Sequence, residues 1–267
     1  MYYLQFVTEM RREYLLWRSY RLNAISSLLM WGIVFPILLV TLISVARNSG
    51  VEYSARLQAA SLIGFMVWKL CTGVLVAIPN MIESEANTGT LENVMVTAYI
   101  SFFALLLFRI FARSVRSFLE VTLLGIILTV VWQIALPVSF TAVLIIFLTL
   151  AGVWGVGLAL AGLALLYKSV SSVTGLIAYL AFSISGAFIP INALGLTFTI
   201  LKYVFPMTWG IDLLRQVMLD HYDLATLWQN GSLLGLTAQT SILLFIGYLT
   251  FEYSLKRARI RGELGVY

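Results

Sequence analysis

Three glutamates, Glu83, Glu85 and Glu92, stand within ten residues in the run "IESEANTGTLENVMVTAY" (82–99), inside a chain of which only 11% is charged. Carboxylates gathered so closely suit contact with a protein partner better than with anionic lipid. Other chemistry-bearing residues are sparse. His221 lies between Asp220 and Asp223, but a lone histidine with adjacent acids does not converge three ligands, so no metal site is expected. Cys71, the single cysteine, lies in an apolar run and excludes an internal disulfide framework. No serine or cysteine has a histidine in a matching context, and no catalytic residue is expected. No glycine is followed by lysine anywhere, so the phosphate-cradling G-x-x-x-x-G-K-[ST] loop is absent from the sequence.

The elements that must position these residues are membrane helices. With 61% hydrophobic residues and a mean hydropathy of +0.95, the 267-residue chain has too little polar surface to cover a soluble core. The net charge is +5, but no basic run points to nucleic acid, so no nucleic-acid partner is expected. The apolar run after residue 25 lacks a small-residue cleavage site, which makes it an uncleaved first span. Stretches able to cross about 30 Å of hydrocarbon lie near 26–46, 60–82, 117–137, 141–166, 170–189 and 232–252. Six spans put both termini on one side. Placing them in the cytoplasm puts Arg11, Arg12, Arg18, Arg21, Arg109, Arg113, Arg116, Lys168, Lys256, Arg257, Arg259 and Arg261 inside, twelve of the seventeen basic residues. That asymmetry predicts a multi-pass protein of the plasma (cytoplasmic) membrane, N-in and C-in, with 83–100 as a cytoplasmic loop.

Three segments are neither spans nor short turns. In residues 2–22, Tyr3, Val7, Met10, Tyr14 and Trp17 fall on one helical stripe, with Arg11, Arg12 and Arg18 off it. This predicts an amphipathic helix (1–25) along the bilayer surface. It either only anchors the chain or also docks a partner through its polar face. In 82–99, Asn87 or Thr88 reads as the cap of a short helix, Gly89 relaxes the turn, and Leu91, Val94, Met95 and Val96 supply an apolar side. Anionic headgroups repel its carboxylates, so a protein is the expected partner of that helix. The third segment, 190–230, is broken by Pro190 and Pro206. It reads as a re-entrant cap, because backbone leaving a helix at membrane depth must be enclosed. Asp212 and Arg215, at i, i+3, either form a surface pair or belong to a gate. Small residues at Ala151, Gly155, Gly157 and Ala161 permit close helix contact.

Charge within spans is rare. Lys69 lies about ten residues, or about 15 Å, into the second span. It either faces a pathway or snorkels to an interface. Glu120 and Glu252, near the cytoplasmic span ends, are expected either to anchor those ends or to pair with Arg116 or Lys256.

At this point the sequence resembles a known family. Glu85 followed by Gly89, Thr90, Leu91 and Glu92 resembles the intracellular loop of type-2 ATP-binding-cassette (ABC-2) transporter permeases. Pro206, Thr208, Trp209, Gly210, Asp212 and Arg215 are similar to the pattern that ends that family's external re-entrant segment. The chain departs from the family at "VTAYI", where a proline is common, and at "NALGL". The resemblance covers nearly the whole chain. It implies an all-α integral membrane domain (26–267) of six spans, with an N-terminal interface helix and re-entrant external helices before the last span. It also implies pairing as a homodimer or with a similar permease. A separate ABC ATPase subunit would contact Glu83, Glu85, Gly89, Thr90, Leu91 and Glu92 and would hold ATP and Mg, with no cofactor in this chain. The implied function is export of an amphipathic, lipid-linked or drug-like substrate by alternating access. Phe65, Trp68, Lys69, Thr72, Thr174, Ile177 and Phe182 are the expected path residues, each open to an ordinary packing role. A secondary transporter or channel, or an integral membrane enzyme, is the alternative. The first two call for internal repeats or several buried charges, and the third for polar catalytic groups at one depth; neither pattern is visible.

Overall fold

The computed structural model describes residues 2–48, 54–97, 100–134, 136–167, 169–188, 203 and 205–261. Among these residues the regular structure is entirely helical. The helices are α1 (Tyr2–Ser19), α2 (Arg21–Asn48), α3 (Ala55–Asn87), α4 (Leu91–Thr97), α5 (Phe102–Trp132), α6 (Phe140–Tyr167), α7 (Ser171–Ile184), α8 (Pro206–Leu219), α9 (Leu224–Gln229) and α10 (Ser232–Arg261). Five of them, α2, α3, α5, α6 and α10, are long and apolar enough to cross a membrane. The fold is therefore that of an all-α integral membrane protein.

The helix α3 is the hub, packing on α5, α6, α7 and α8, while α6 packs along α10. The α6–α10 contact depends on glycine. A Cβ at Gly155 would come within 2.4 Å of the Leu243 backbone, and one at Gly247 within 2.1 Å of the Gly155 carbonyl oxygen. Gly157 likewise faces Ile78 of α3. The small residues of 151–162 thus bring backbones together, as expected from the sequence.

Boundaries differ from the sequence expectation in ways that matter. The span expected at 117–137 begins fifteen residues earlier, because Ser101 caps α5 by accepting from the Ala104 amide (3.2 Å) and nothing breaks the helix before the membrane. Arg109, Arg113 and Arg116 are consequently helical, arginine being a good helix former. The fifth expected span, 170–189, is the 14-residue α7, about 21 Å long and short of the hydrocarbon thickness. The amphipathic segment ends at Ser19 rather than 25, with α2 starting at Arg21 after a break at Tyr20. Pro206 opens a helix instead of only ending one, since its missing N–H is not needed at the first position. Lys168, Pro190 and Lys202 lie outside the described residues.

Candidate functional site

The three glutamates of the opening stretch have three different environments. Glu83 receives the backbone N–H groups of Val170 (3.2 Å) and Ser171 (3.1 Å) through Oε2, and the Ser171 hydroxyl (3.3 Å) through Oε1. It is the cap of α7, supplied from α3 in place of a side chain of its own. Glu85 accepts from Arg109 Nη1 of α5 at 2.5 Å. Glu92, on α4, is exposed.

Between Glu85 and α4 the chain turns through a specific corner. Gly89 has φ +67°, its N–H donates to the Ala86 carbonyl (3.0 Å), and the Thr90 N–H donates to the Glu85 carbonyl (3.0 Å). This is a Schellman arrangement, in which a left-handed glycine satisfies the last carbonyls of a helix. Asn87-Thr88-Gly89 is therefore the stop of α3 and not the start of α4, correcting the expected cap. The Thr88 hydroxyl reinforces it by donating to the Ser84 carbonyl (2.9 Å). The helix α4 then buries Leu91 completely and packs Val94 and Met95 partly on the core, leaving Val96 79% exposed.

Arg109 joins this corner to the N-terminal helix. Its Nε donates to Glu9 Oε2 at 3.3 Å, and Arg12 Nη1 donates to the same oxygen at 3.0 Å. Glu9 and Arg109 are only 6% and 9% exposed. One helical turn on, Glu13 Oε1 accepts from Arg113 (2.9 Å) and Arg116 (3.5 Å), and Arg116 Nε donates to Glu120 (2.9 Å). Phe6 completes the seam against Phe108 and Phe111, with ring centroids 5.5 and 5.6 Å apart. The polar face of α1 thus docks on α5 of its own chain, while Tyr3, Val7, Tyr14 and Trp17 stay exposed. Glu9 and Glu13 were absent from the sequence-derived site. The signal was a matched spacing: acids four residues apart on one helix and arginines four apart on another. Arg11 and Arg18, also expected on this helix, are exposed.

The expected path residues divide. Trp68, Lys69 and Thr72 line a cleft of about 540 Å³ along α3. Phe65 is fully buried beside Phe35 (4.9 Å), and Thr174 is buried with its hydroxyl on the Val170 carbonyl (2.9 Å). Ile177 packs on the core, and Phe182 stacks edge-on against Trp68 at 4.6 Å.

At the other end of α3, the family-like pattern around Arg215 has a physical reading. Arg215 is buried and donates to the Ala60 carbonyl through Nε (3.0 Å) and Nη2 (2.8 Å), and to the Ala187 carbonyl through Nη2 (2.8 Å). Gly210 lets α8 approach Thr149 of α6 to a distance a side chain would forbid. Asp212 accepts from Gln216 (3.4 Å). The His221 turn is tied to the start of α3: Asp220 is ion-paired with Arg56, and His221 takes φ 56°.

A family model described as ABC-2 type transporter matches residues 5–219, from α1 through α8. None of the curated proteins compared with the chain matches it. The match takes in both the ionic corner and the Arg215 clamp and spans most of the sequence, so the chain, a multi-pass membrane permease domain, belongs to the ABC-2 type transporter family.

Proposed function

We infer that this chain is the transmembrane subunit of an exporter, driven by a separate ABC ATPase that grips α4 and the α3–α4 corner. The observation that carries the reading is the Glu85–Arg109–Glu9 bridge, which links α3, α5 and α1 at the place where α4 leaves the bundle. A push on α4 passes through the Schellman corner into α3. From there the buried bridge hands it to α5 and α1, and Glu83 hands it to α7. Buried paired charges suit this task, because separating them leaves an uncompensated charge and the helices move together. ATP and Mg belong to the partner, as the chain has no phosphate loop.

The orientation N-in and C-in in the plasma membrane follows from the basic residues of α1, the foot of α5 and the end of α10. Pairing of two such chains would enclose the path, with α3 and α7 facing it, and the Arg215 clamp would seal its outer end. An amphipathic, lipid-linked or drug-like cargo fits the aromatic lining at Trp68 and Phe182.

The experiment is a purification from native membranes. The isolated chain is expected to hydrolyse no ATP, and mild solubilisation to recover a roughly stoichiometric ATPase that supports ATP-dependent uptake into inverted vesicles. Hydrolysis by the isolated chain would overturn the reading.

A further inference from the structure

We propose that the cleft along α3 holds an amphiphile with an anionic head, and that Lys69 is the cation that receives it. The inference rests on the transporter reading above and adds the charge of the cargo. The cleft runs from Arg12 and Glu85 at the corner up to Trp31, Trp68 and Lys69, with Tyr179 of α7 on its flank. Its volume of about 540 Å³ lies within the range of about 300–1,000 Å³ typical of small-molecule sites. Lys69 stands sixteen residues above Glu85, about 24 Å up the helix.

The charges at the mouth are neutralised within the protein. Arg12 is held by Glu9, Glu13 by Arg113 and Arg116, and Glu85 by Arg109. Lys69 is different: among the described residues no carboxylate lies at ion-pair distance from it, and its Nζ rests 5.0 Å from the centroid of the Trp31 ring. Glu120, across a smaller adjoining cavity of about 170 Å³, is occupied by Arg116. A half-buried cation that rests on an aromatic face, with no carboxylate at ion-pair distance among the described residues, is placed to take a counter-ion.

Two further polar groups line the same cleft, Trp68 next to Lys69 in the chain and Asn80 eleven residues nearer the mouth. Trp68 is 7% exposed, yet its indole N–H has no hydrogen-bond partner among the described residues, and the same holds for Asn80 Oδ1. The N–H and the ammonium are both donors, which suits phosphate or carboxylate oxygens. Val76, Ala77 and Met81 between this point and the mouth offer an apolar wall for the body of the molecule. A cationic amphiphile would meet repulsion from Lys69 and find the Trp31 face already taken.

Native mass spectrometry of the full chain in a neutral detergent tests this without requiring any ATPase, so its failure is separable from failure of the transporter reading. Dodecyl phosphate is expected to bind saturably, one per chain, and dodecyltrimethylammonium not to bind saturably. Lys69→Gln should weaken dodecyl phosphate binding about tenfold or more, and Lys69→Arg should keep it. Phosphatidic acid serves as competitor: displacement of dodecyl phosphate names a bilayer lipid as the source of the head group, and no displacement names a free amphiphile, each within the proposal. Equal binding of the cation by wild type, wild-type affinity in Lys69→Gln, or inorganic phosphate binding as tightly as dodecyl phosphate would each overturn it. The wild-type comparison of anion with cation stands even where a Lys69 variant fails to fold.

Discussion

Arg109 on α5 reaches Glu85 at the foot of α3 with one arm of its guanidinium and Glu9 on α1 with another. Three helices from distant parts of the sequence therefore share one buried cation, directly beside the corner from which α4 projects.

Removing that cation leaves two carboxylates facing each other away from water. Arg109→Leu is expected to cost about 3–5 kcal/mol and to release α1, read as a lower apparent Tm in detergent and faster hydrogen exchange over Tyr2–Ser19. Arg109→Lys should recover only part, because an ammonium lacks the fork that spans both acids. Wild-type exchange in Arg109→Leu would remove the bridge from the account.

The cap supplied by Glu83 makes a smaller and more local prediction. Glu83→Ala leaves the Val170 and Ser171 amides without their acceptor and should cost about 1–2 kcal/mol, concentrated in hydrogen exchange at the start of α7. Glu83→Gln should cost less, since its amide oxygen still accepts. Equal effects of the two variants would argue against capping.

Gly89 separates backbone strain from lost contact, as a Cβ there meets nothing within 4 Å. Gly89→Asn should be tolerated, since asparagine enters the left-handed region readily. Gly89→Val should cost about 1–2 kcal/mol and lower the coupling of ATP hydrolysis to transport. Coupling that is identical in the two variants would show the corner to be a passive linker.

The α6–α10 seam tests the bundle itself. Gly155→Val and Gly247→Val place atoms where Leu243 and Gly155 backbone lie, and both should prevent recovery of monodisperse protein. Gly175→Ala, in a helix with nothing near its Cβ, should be neutral or slightly stabilising. Monodisperse Gly247→Val at wild-type Tm would contradict the close contact.

Much of this architecture is legible in the sequence. Long apolar runs marked the membrane helices, and the stripe Tyr3, Val7, Tyr14, Trp17 marked α1 as a helix with one exposed apolar face, because helical periodicity and hydropathy are written directly in composition. The ionic corner was not legible in the same way. Hydropathy windows reject charged turns, so the first four turns of α5, carrying Arg109 and Arg113, fell outside the expected span although the helix continues through them. The three glutamates read as one patch for the same reason: sequence gives their spacing, while their roles depend on what α5 and α7 bring to them. Gly89 was read as a helix start because a capping threonine and a glycine stand at both kinds of helix end. Only the Thr90-to-Glu85 bond decides which one it is.

Glu92 and Val96 are the exposed acidic and apolar residues of α4, and so they carry the central claim that a separate ATPase grips this helix. Recovery of the ATPase with tagged chain, at matched membrane expression, is the direct measurement, comparing wild type with Glu92→Lys/Val96→Asp. The account predicts roughly stoichiometric ATPase with wild type, about tenfold less with the double variant, and an unchanged apparent Tm of the purified chain. Undiminished recovery with the variant, or ATP hydrolysis by the chain alone, would contradict it.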